Sequence, residues 1–566
     1  MTRPWAENGY AYGYDLMPWQ THIDYLPGLI SATVDGSESL RFCCPWYVKG
    51  MGLLTLSTGC LALRERPYCL PLEMARSKIG SVRGQIYDWT QAGLTIPPTV
   101  EEHVRIATAS LGKAVRIMAE INSLLTLDNV SLEKKGSASY KGLFSPSDPN
   151  KPFSKGQYPL SPNGIPLSFA AIQPRKADKT SGETPQTLET QSPLLVYSEK
   201  FSELFLESVK SLQYSLQAAN TLVQAYAQRR LALSISNKTL AQIGCSVGEI
   251  VPSEAFTKIF ASIFQIARID INWRKLDQDP GYRQTCMNQL AWSRKNRIKC
   301  AVGPLLRFEY EYLPEWLALY SDDWESVCDY VRTYVSECVE IFGKDADYWY
   351  AASKINVNTI RGWNEEKRAQ LTAVVLDELQ KQEVTGEIGL CLSQPYDESM
   401  SRTNGCFTAA YYADVLFTSG LKLDFIELEL NLGFLGDGSH DRDPLQFSKT
   451  LDSWVASGVP ISLSLCVPSQ SFPVKEKPSV QTPYFNNWSP ELQTACVKRC
   501  INMFAVKPKI KSVIWNTLLD PMDGGLLATG LFDSAGRPKP ALQPFIQMYK
   551  WRHTTLVESK SAEKTK

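Results

Sequence analysis

Residues Val513–Leu542 read VIWNTLLDPMDGGLLATGLFDSAGRPKPAL. Val513, Ile514 and Trp515 form a short apolar run after Lys511, as expected of a parallel strand buried on both faces. A turn-rich segment follows, and a helix is predicted from near Pro540. This is the pattern of a last strand and closing loop in a domain that alternates strands with helices.

Upstream, seven further strand-like runs occur in order: IGCSV, QIARIDINW, IKCAVGPLLRF, ADYWYAASKIN, EIGLCLSQP, LDFIELELNL and PISLSLCV. Helical segments or loops separate most of them, and with SVIWNTL the count reaches eight. Eight such units over residues 239–552 predict an α/β fold, a C-terminal (β/α)8 TIM barrel. Residues 1–125 are expected to form a β-rich and helical N-terminal module. In it EEHVRIATASLGKAVRIMAEINSLL places Val104, Ala107, Leu111, Val115, Met118 and Ile121 on one apolar stripe. Residues 126–195, rich in Ser, Pro and Lys, read as a flexible insertion, 196–238 as a long connecting helix and 553–566 as a disordered tail. The helices flanking the insertion are candidates for an antiparallel pair.

Lys plus Arg and Asp plus Glu are both 59 in the 566 residues, so no basic footprint of a nucleic-acid binder is present. The first 20 residues lack an apolar core, and no stretch approaches the roughly 20 apolar residues of a membrane span. The expectation is a cytoplasmic protein with no nucleic-acid or membrane partner. Its 14 cysteines are scattered without a Cys-x-x-Cys pair and read as reduced core residues. With four histidines and no HExxH, no metal is expected; no P-loop or GxGxxG motif is present, and no cofactor is expected. Nor is there a Gly-x-Ser-x-Gly nucleophile elbow.

The tail resembles the C-terminal end of glycoside hydrolase family 10, the xylanase family, in which a Trp-Gly strand leads to an Asp, then Leu-Phe-Asp, then Lys-Pro-Ala. The matching residues are Trp515, Asp520, Leu531, Phe532, Asp533, Lys539, Pro540 and Ala541. The resemblance covers only the barrel half and implies a carbohydrate-active protein acting on O-glycosyl bonds of a polysaccharide or oligosaccharide. It also implies two catalytic glutamates, and neither transfers. The acid/base position falls on Lys354 and the nucleophile position on Leu465, and no Asp or Glu occurs at 348–360 or 458–475. Arg268, Ile269, Asn272 and Trp273 occupy the family's second-strand sugar positions, while Arg307 lies in the third-strand motif.

The sixth strand, FIELELNLGF, carries Glu427, Glu429 and Asn431 at spacing two, hence on one face. Buried carboxylates need partners, and Arg268, Asp270, Arg307 and Lys354 are candidates across the barrel mouth. Two readings follow. One is a divergent glycosidase with Glu429 as acid or nucleophile and Glu427 or Asp270 as companion. The other is a pseudoenzyme whose charges form a salt-bridge network while the barrel binds a glycan or a protein. Substrate-binding candidates are Trp273, Asn272, Arg268, Arg307, Lys354, Asn431, Trp515 and Asp520. His440, in GDGSHDRD, is expected in a solvated loop.

Overall fold

A computed structural model describes residues 9–563 apart from 14–16, 27–28, 35–38, 63–66, 134–192, 321, 345, 358–359, 361, 402–406, 434–437, 471–487, 505 and 522–527. The chain divides into two units, Met1–Leu222 and Val223–Lys566.

The second unit is a closed parallel barrel. Its strands are β1 (Gln242–Ser246), β2 (Ile266–Ile269), β3 (Lys299–Val302), β4 (Tyr348–Tyr350), β5 (Glu387–Ser393), β6 (Phe425–Asn431), β7 (Ile461–Cys466) and β8 (Ile510–Trp515). They close in chain order, β8 pairing with β1. All eight overlap the runs predicted from sequence, with β1 starting one residue and β8 two residues earlier, because each is a largely apolar stretch too short for a helix and bounded by turn residues. A short parallel pair, Leu306–Arg307 with Ala352–Ser353, continues β3 and β4 past the barrel's C-terminal rim.

Helices between the strands start where polar side chains satisfy their first N–H groups. Ser253, Asp279, Asp323, Asn364, Thr408 and Asp443 each accept from backbone amides one turn in, and Pro280 and Pro444 occupy first helical positions. The lower barrel interior is filled by Ile266, Ala301, Tyr348, Tyr350, Cys391, Phe425 and Ile514. Gly389 makes room for this packing, since a Cβ there would lie 2.2 Å from the Phe425 ring. The closing helix runs Gln543–Glu563, so residues 553–563 are helical where a disordered tail is expected from sequence.

In the first unit, strands Pro18–Trp19, Tyr10–Tyr12, Ser39–Val48 and Gly52–Ser57 form an antiparallel sheet, with Leu61–Ala62 added to the long strand. Phe42, Trp46, Leu54 and Leu56 of this sheet pack on Met74, Phe205, Leu212 and Leu216. Helix Pro98–Glu133 lies antiparallel to the start of helix Pro193–Ser236: Lys113 pairs with Glu203 and Glu207, Lys200 pairs with Glu120, and Ser211 donates to the Ala107 carbonyl. The buried stripe runs through Ala107, Ala114, Ile117 and Ile121, whereas Val115 is exposed. One position separates Val115 from Ala114, and a turn of about 100° per residue carries it to the solvent side. Within the expected insertion, 126–133 and 193–195 are helical and 134–192 lie outside the described residues.

Candidate functional site at the barrel mouth

Toward the C-terminal ends of the strands the barrel interior changes from apolar to charged. β6 supplies Glu427 and Glu429 from its inward face, while Ile426, Leu428 and Leu430, all fully buried, take the alternate face. Strand β2 stands four positions from β6 in the closed order, directly across the barrel. Arg268 on β2 spans that interior. Its Nη1 donates to Glu427 Oε1 at 2.8 Å, its Nη2 to Asn516 Oδ1 at 2.6 Å, and its Nε lies 3.0 Å from Asp270 Oδ1. The guanidinium also lies 5.8 Å from the Tyr350 ring centroid.

Glu429, one step nearer the rim, meets Lys354 Nζ at 3.3 Å and accepts from the Ser393 hydroxyl. Hydrogen bonds tie down the backbone beside Lys354. Asn356 exchanges hydrogen bonds with the backbone of Ser393, and the buried Arg368 donates to the Ile355 and Trp363 carbonyls, both at 2.7 Å. Lys354 itself sits at φ +60°, a left-handed conformation that costs a non-glycine residue free energy and is found where the surroundings over-determine it.

The two carboxyls respond oppositely to this environment. Burial pushes both up. For Glu427, burial exceeds the pull of Arg268 and its pKa stays raised; its Oε2 has no hydrogen-bond partner among the described residues. For Glu429, burial is outweighed by Lys354, Arg307 and the Ser393 hydrogen bond, and its pKa falls to about 2. Access differs as well: the Glu427 side chain is 1% exposed, Glu429 13% and Asp270 31%.

Of the other sequence candidates, Asn272, Trp273, Trp515 and Asp520 make contacts within the packing, and Asn431 stands at the mouth. Asn272 caps a short helix through Lys275 N at 3.1 Å. Trp273 is buried and stacks on Tyr334 with 4.2 Å between centroids. Trp515 is fully buried, edge-on to Phe545, with its indole N–H donating to the Thr529 carbonyl at 3.1 Å. Asp520 accepts from Lys539 Nζ and Gly530 N, both at 2.7 Å, and so clasps the closing loop. Asn431 Oδ1 lies 3.5 Å from Asn516 Nδ2 at the mouth.

Leu465 is fully buried on the outward face of β7; the inward residues beside Glu429 and Asn431 are Ser464 and Cys466. His440 is also buried, contrary to the solvated loop expected from its sequence. Its backbone N–H and the Arg442 guanidinium both reach buried Glu398, at 3.0 and 3.2 Å. Ser246, Glu309, Ser393 and Asn516 belong to the mouth without having been singled out from sequence. Ser393 was accessible to strand-register reasoning, because it pairs with Glu429.

Among the described residues, no group of three or more His, Cys, Asp or Glu side chains is arranged to hold a metal, and no helix is long and apolar enough to cross a membrane. The described cysteines are buried except Cys60 and Cys466.

Fold and mouth together define a (β/α)8 barrel with a charge-paired interior. Solved structures similar to it include xylanase 10B from Thermotoga petrophila, 13% identical, covering 56% of this chain and 96% of that one with a TM-score of 0.41. An endo-1,4-beta-xylanase from Caldicellulosiruptor owensensis is 13% identical, at coverages of 56% and 98% and a TM-score of 0.41. Xylanase B from Clostridium stercorarium is 11% identical, with the same coverages and TM-score. No protein-family model matches the chain, and none of the curated proteins does. The fold rests on the closed strand order itself.

Proposed function

We propose that residues 239–552 form a glycosidase-like barrel that binds carbohydrate without cleaving it. The observation that carries this reading is that both inward carboxylates of β6 are closed onto buried cations, Glu427 on Arg268 and Glu429 on Lys354. A glycosidase needs one carboxyl to protonate the leaving oxygen and a second to attack the sugar or activate water from the other side of the bond. Here both come from one strand, while β7 presents Ser464 and Cys466 and the loop after β4 presents a lysine. Support for carbohydrate comes from the mouth's mixture of donors and acceptors at Asp270, Arg307, Asn431 and Asn516, and from the tail's resemblance to family 10.

One observation favours the hydrolytic alternative. Glu427 is pushed up and Glu429 down, a split that elsewhere assigns acid and base to two carboxyls. Burial argues against it, since a proton on a group 1% exposed has no route to a glycosidic oxygen. A broad glycan screen for binding and for hydrolysis, run on wild type and Glu429→Gln, separates the two. Binding without product supports the proposal; product formation lost in Glu429→Gln replaces it with a hydrolase.

A further inference from the structure

We propose that Arg307 is the residue that reads the ligand of the mouth, donating from both ends of its guanidinium fork to a pair of adjacent hydroxyls while Asp270 accepts from the same ligand. This rests on the carbohydrate reading above and adds the donor, the acceptor and the charge class of the ligand.

The three cations of the mouth are used differently. Arg268 donates from Nη1 and Nη2 to Glu427 and Asn516, and its Nε is ion-paired with Asp270 at 3.0 Å. Lys354 is buried against Glu429. Arg307 spends only Nε, on Glu309, and its guanidinium lies 4.1 Å from the centroid of the Tyr312 ring. Neither of its terminal Nη groups hydrogen-bonds to a described residue, and the side chain is 25% exposed. A guanidinium anchored at one nitrogen and stacked on a ring has little rotamer freedom left to lose on binding, which favours bidentate recognition by its open edge.

Arg307 lies on the rim extension of β3, within electrostatic reach of Glu429. Asp270 is the most exposed carboxylate of the pairs around Arg268 and Lys354, and it shares with Arg307 the surroundings of the Tyr312 phenol. Its oxygens are engaged by Arg268 and by the Ser246 hydroxyl, and each carboxylate oxygen retains a second lone pair.

The same geometry sets the charge class. Glu309 pairs with the fork's Nε and Glu429 lies within its electrostatic reach, so a ligand carboxylate entering there meets two negative charges. A hydroxyl, which both donates and accepts, satisfies Arg307 and Asp270 without that repulsion. The mouth is therefore assigned to a neutral sugar with adjacent free hydroxyls and set against a uronate.

Calorimetric titration of the full chain with xylotriose, cellotriose, mannotriose and trigalacturonate tests this. At least one neutral trisaccharide should bind, trigalacturonate should bind at least tenfold more weakly, and Arg307→Lys and Asp270→Asn should each weaken the neutral ligand at least tenfold. Arg307→Lys keeps the cation that Glu309 needs, and matched thermal unfolding curves confirm that each variant is folded. Unchanged affinity in both variants overturns the assignment of Arg307 and Asp270 while leaving carbohydrate binding standing. Tighter binding of trigalacturonate overturns the charge class. Binding of none of the four overturns the carbohydrate reading and this inference together.

Discussion

Strands β6 and β7 are neighbours in register, with Glu427 opposite Ser462, Glu429 opposite Ser464 and Asn431 opposite Cys466. Their outward halves are alike: Leu428 and Leu430 on one, Leu463 and Leu465 on the other, all fully buried. Only the inward halves differ, and there β6 carries charge while β7 carries small neutral groups. A carboxylate on each of two separated strands could bracket a glycosidic bond. Two carboxylates on one strand, each met by a cation from β2 or from the loop after β4, form a brace across the barrel. Fold and chemistry are separable in these two strands: outward leucines fill the packing while inward alternates decide what the mouth presents.

Cutting the brace has the largest expected effect. Arg268→Met leaves Glu427 buried without its cation, and a loss of about 3–5 kcal/mol in unfolding free energy is expected from urea titration. The double variant Arg268→Met/Glu427→Gln should recover a large part of that loss. If the two single effects simply add, the pair is no brace.

Making β7 resemble β6 is the next test. Ser464→Glu would place a third carboxylate beside Glu427 and Glu429 with no cation of its own, at a cost of about 2–4 kcal/mol at neutral pH. Lowering the pH to 5 should return part of this, as the least stabilised carboxyl protonates. A variant as stable as wild type at both pH values would show that β7 tolerates charge and that the contrast between the strands is accidental.

The smallest expected effect is a pH dependence that belongs to β6 alone. The folded pKa of Glu429 is about 2, below its unfolded value near 4.3. Its stabilisation is therefore present above the unfolded pKa and lost as pH falls through 4 toward 2. Glu427, with a raised pKa, has the opposite sign, so acidification from neutrality first relieves its cost. Wild-type stability should consequently fall more steeply between pH 4 and 2 than that of Glu429→Gln, measured by urea unfolding across that range. Parallel profiles would remove Glu429 from the brace.

Much of this architecture is legible in the chain. Eight runs are visible because a barrel strand is short, rich in apolar residues and bounded by turn residues, and the spacing of Glu427, Glu429 and Asn431 fixes their common face. Candidate partners Arg268 and Lys354 can be named because a buried carboxylate requires a cation. The pairing itself is a long-range fact: 159 residues separate Arg268 from Glu427, and no local pattern reports it. Trp273, Trp515, Asn272 and Asp520 make packing, stacking, capping and loop-clasping contacts, and such contacts leave the same sequence trace as sugar binding. His440 was misplaced for a related reason: its local sequence is polar, but its burial is set by Glu398, 42 residues away.

The central claim, that Glu429 serves as a counter-ion and does not attack sugar, is tested most directly with an activated substrate. An aryl 2-deoxy-2-fluoro-glycoside needs no proton donor to leave, so the burial of Glu427 offers no protection against reaction. Incubating the full chain with the xylosyl and glucosyl reagents and following phenolate release by absorbance and chain mass by spectrometry gives a direct answer. The account predicts no burst and an unchanged mass. A stoichiometric burst with a glycosyl adduct on Glu429, absent in Glu429→Gln, would contradict it.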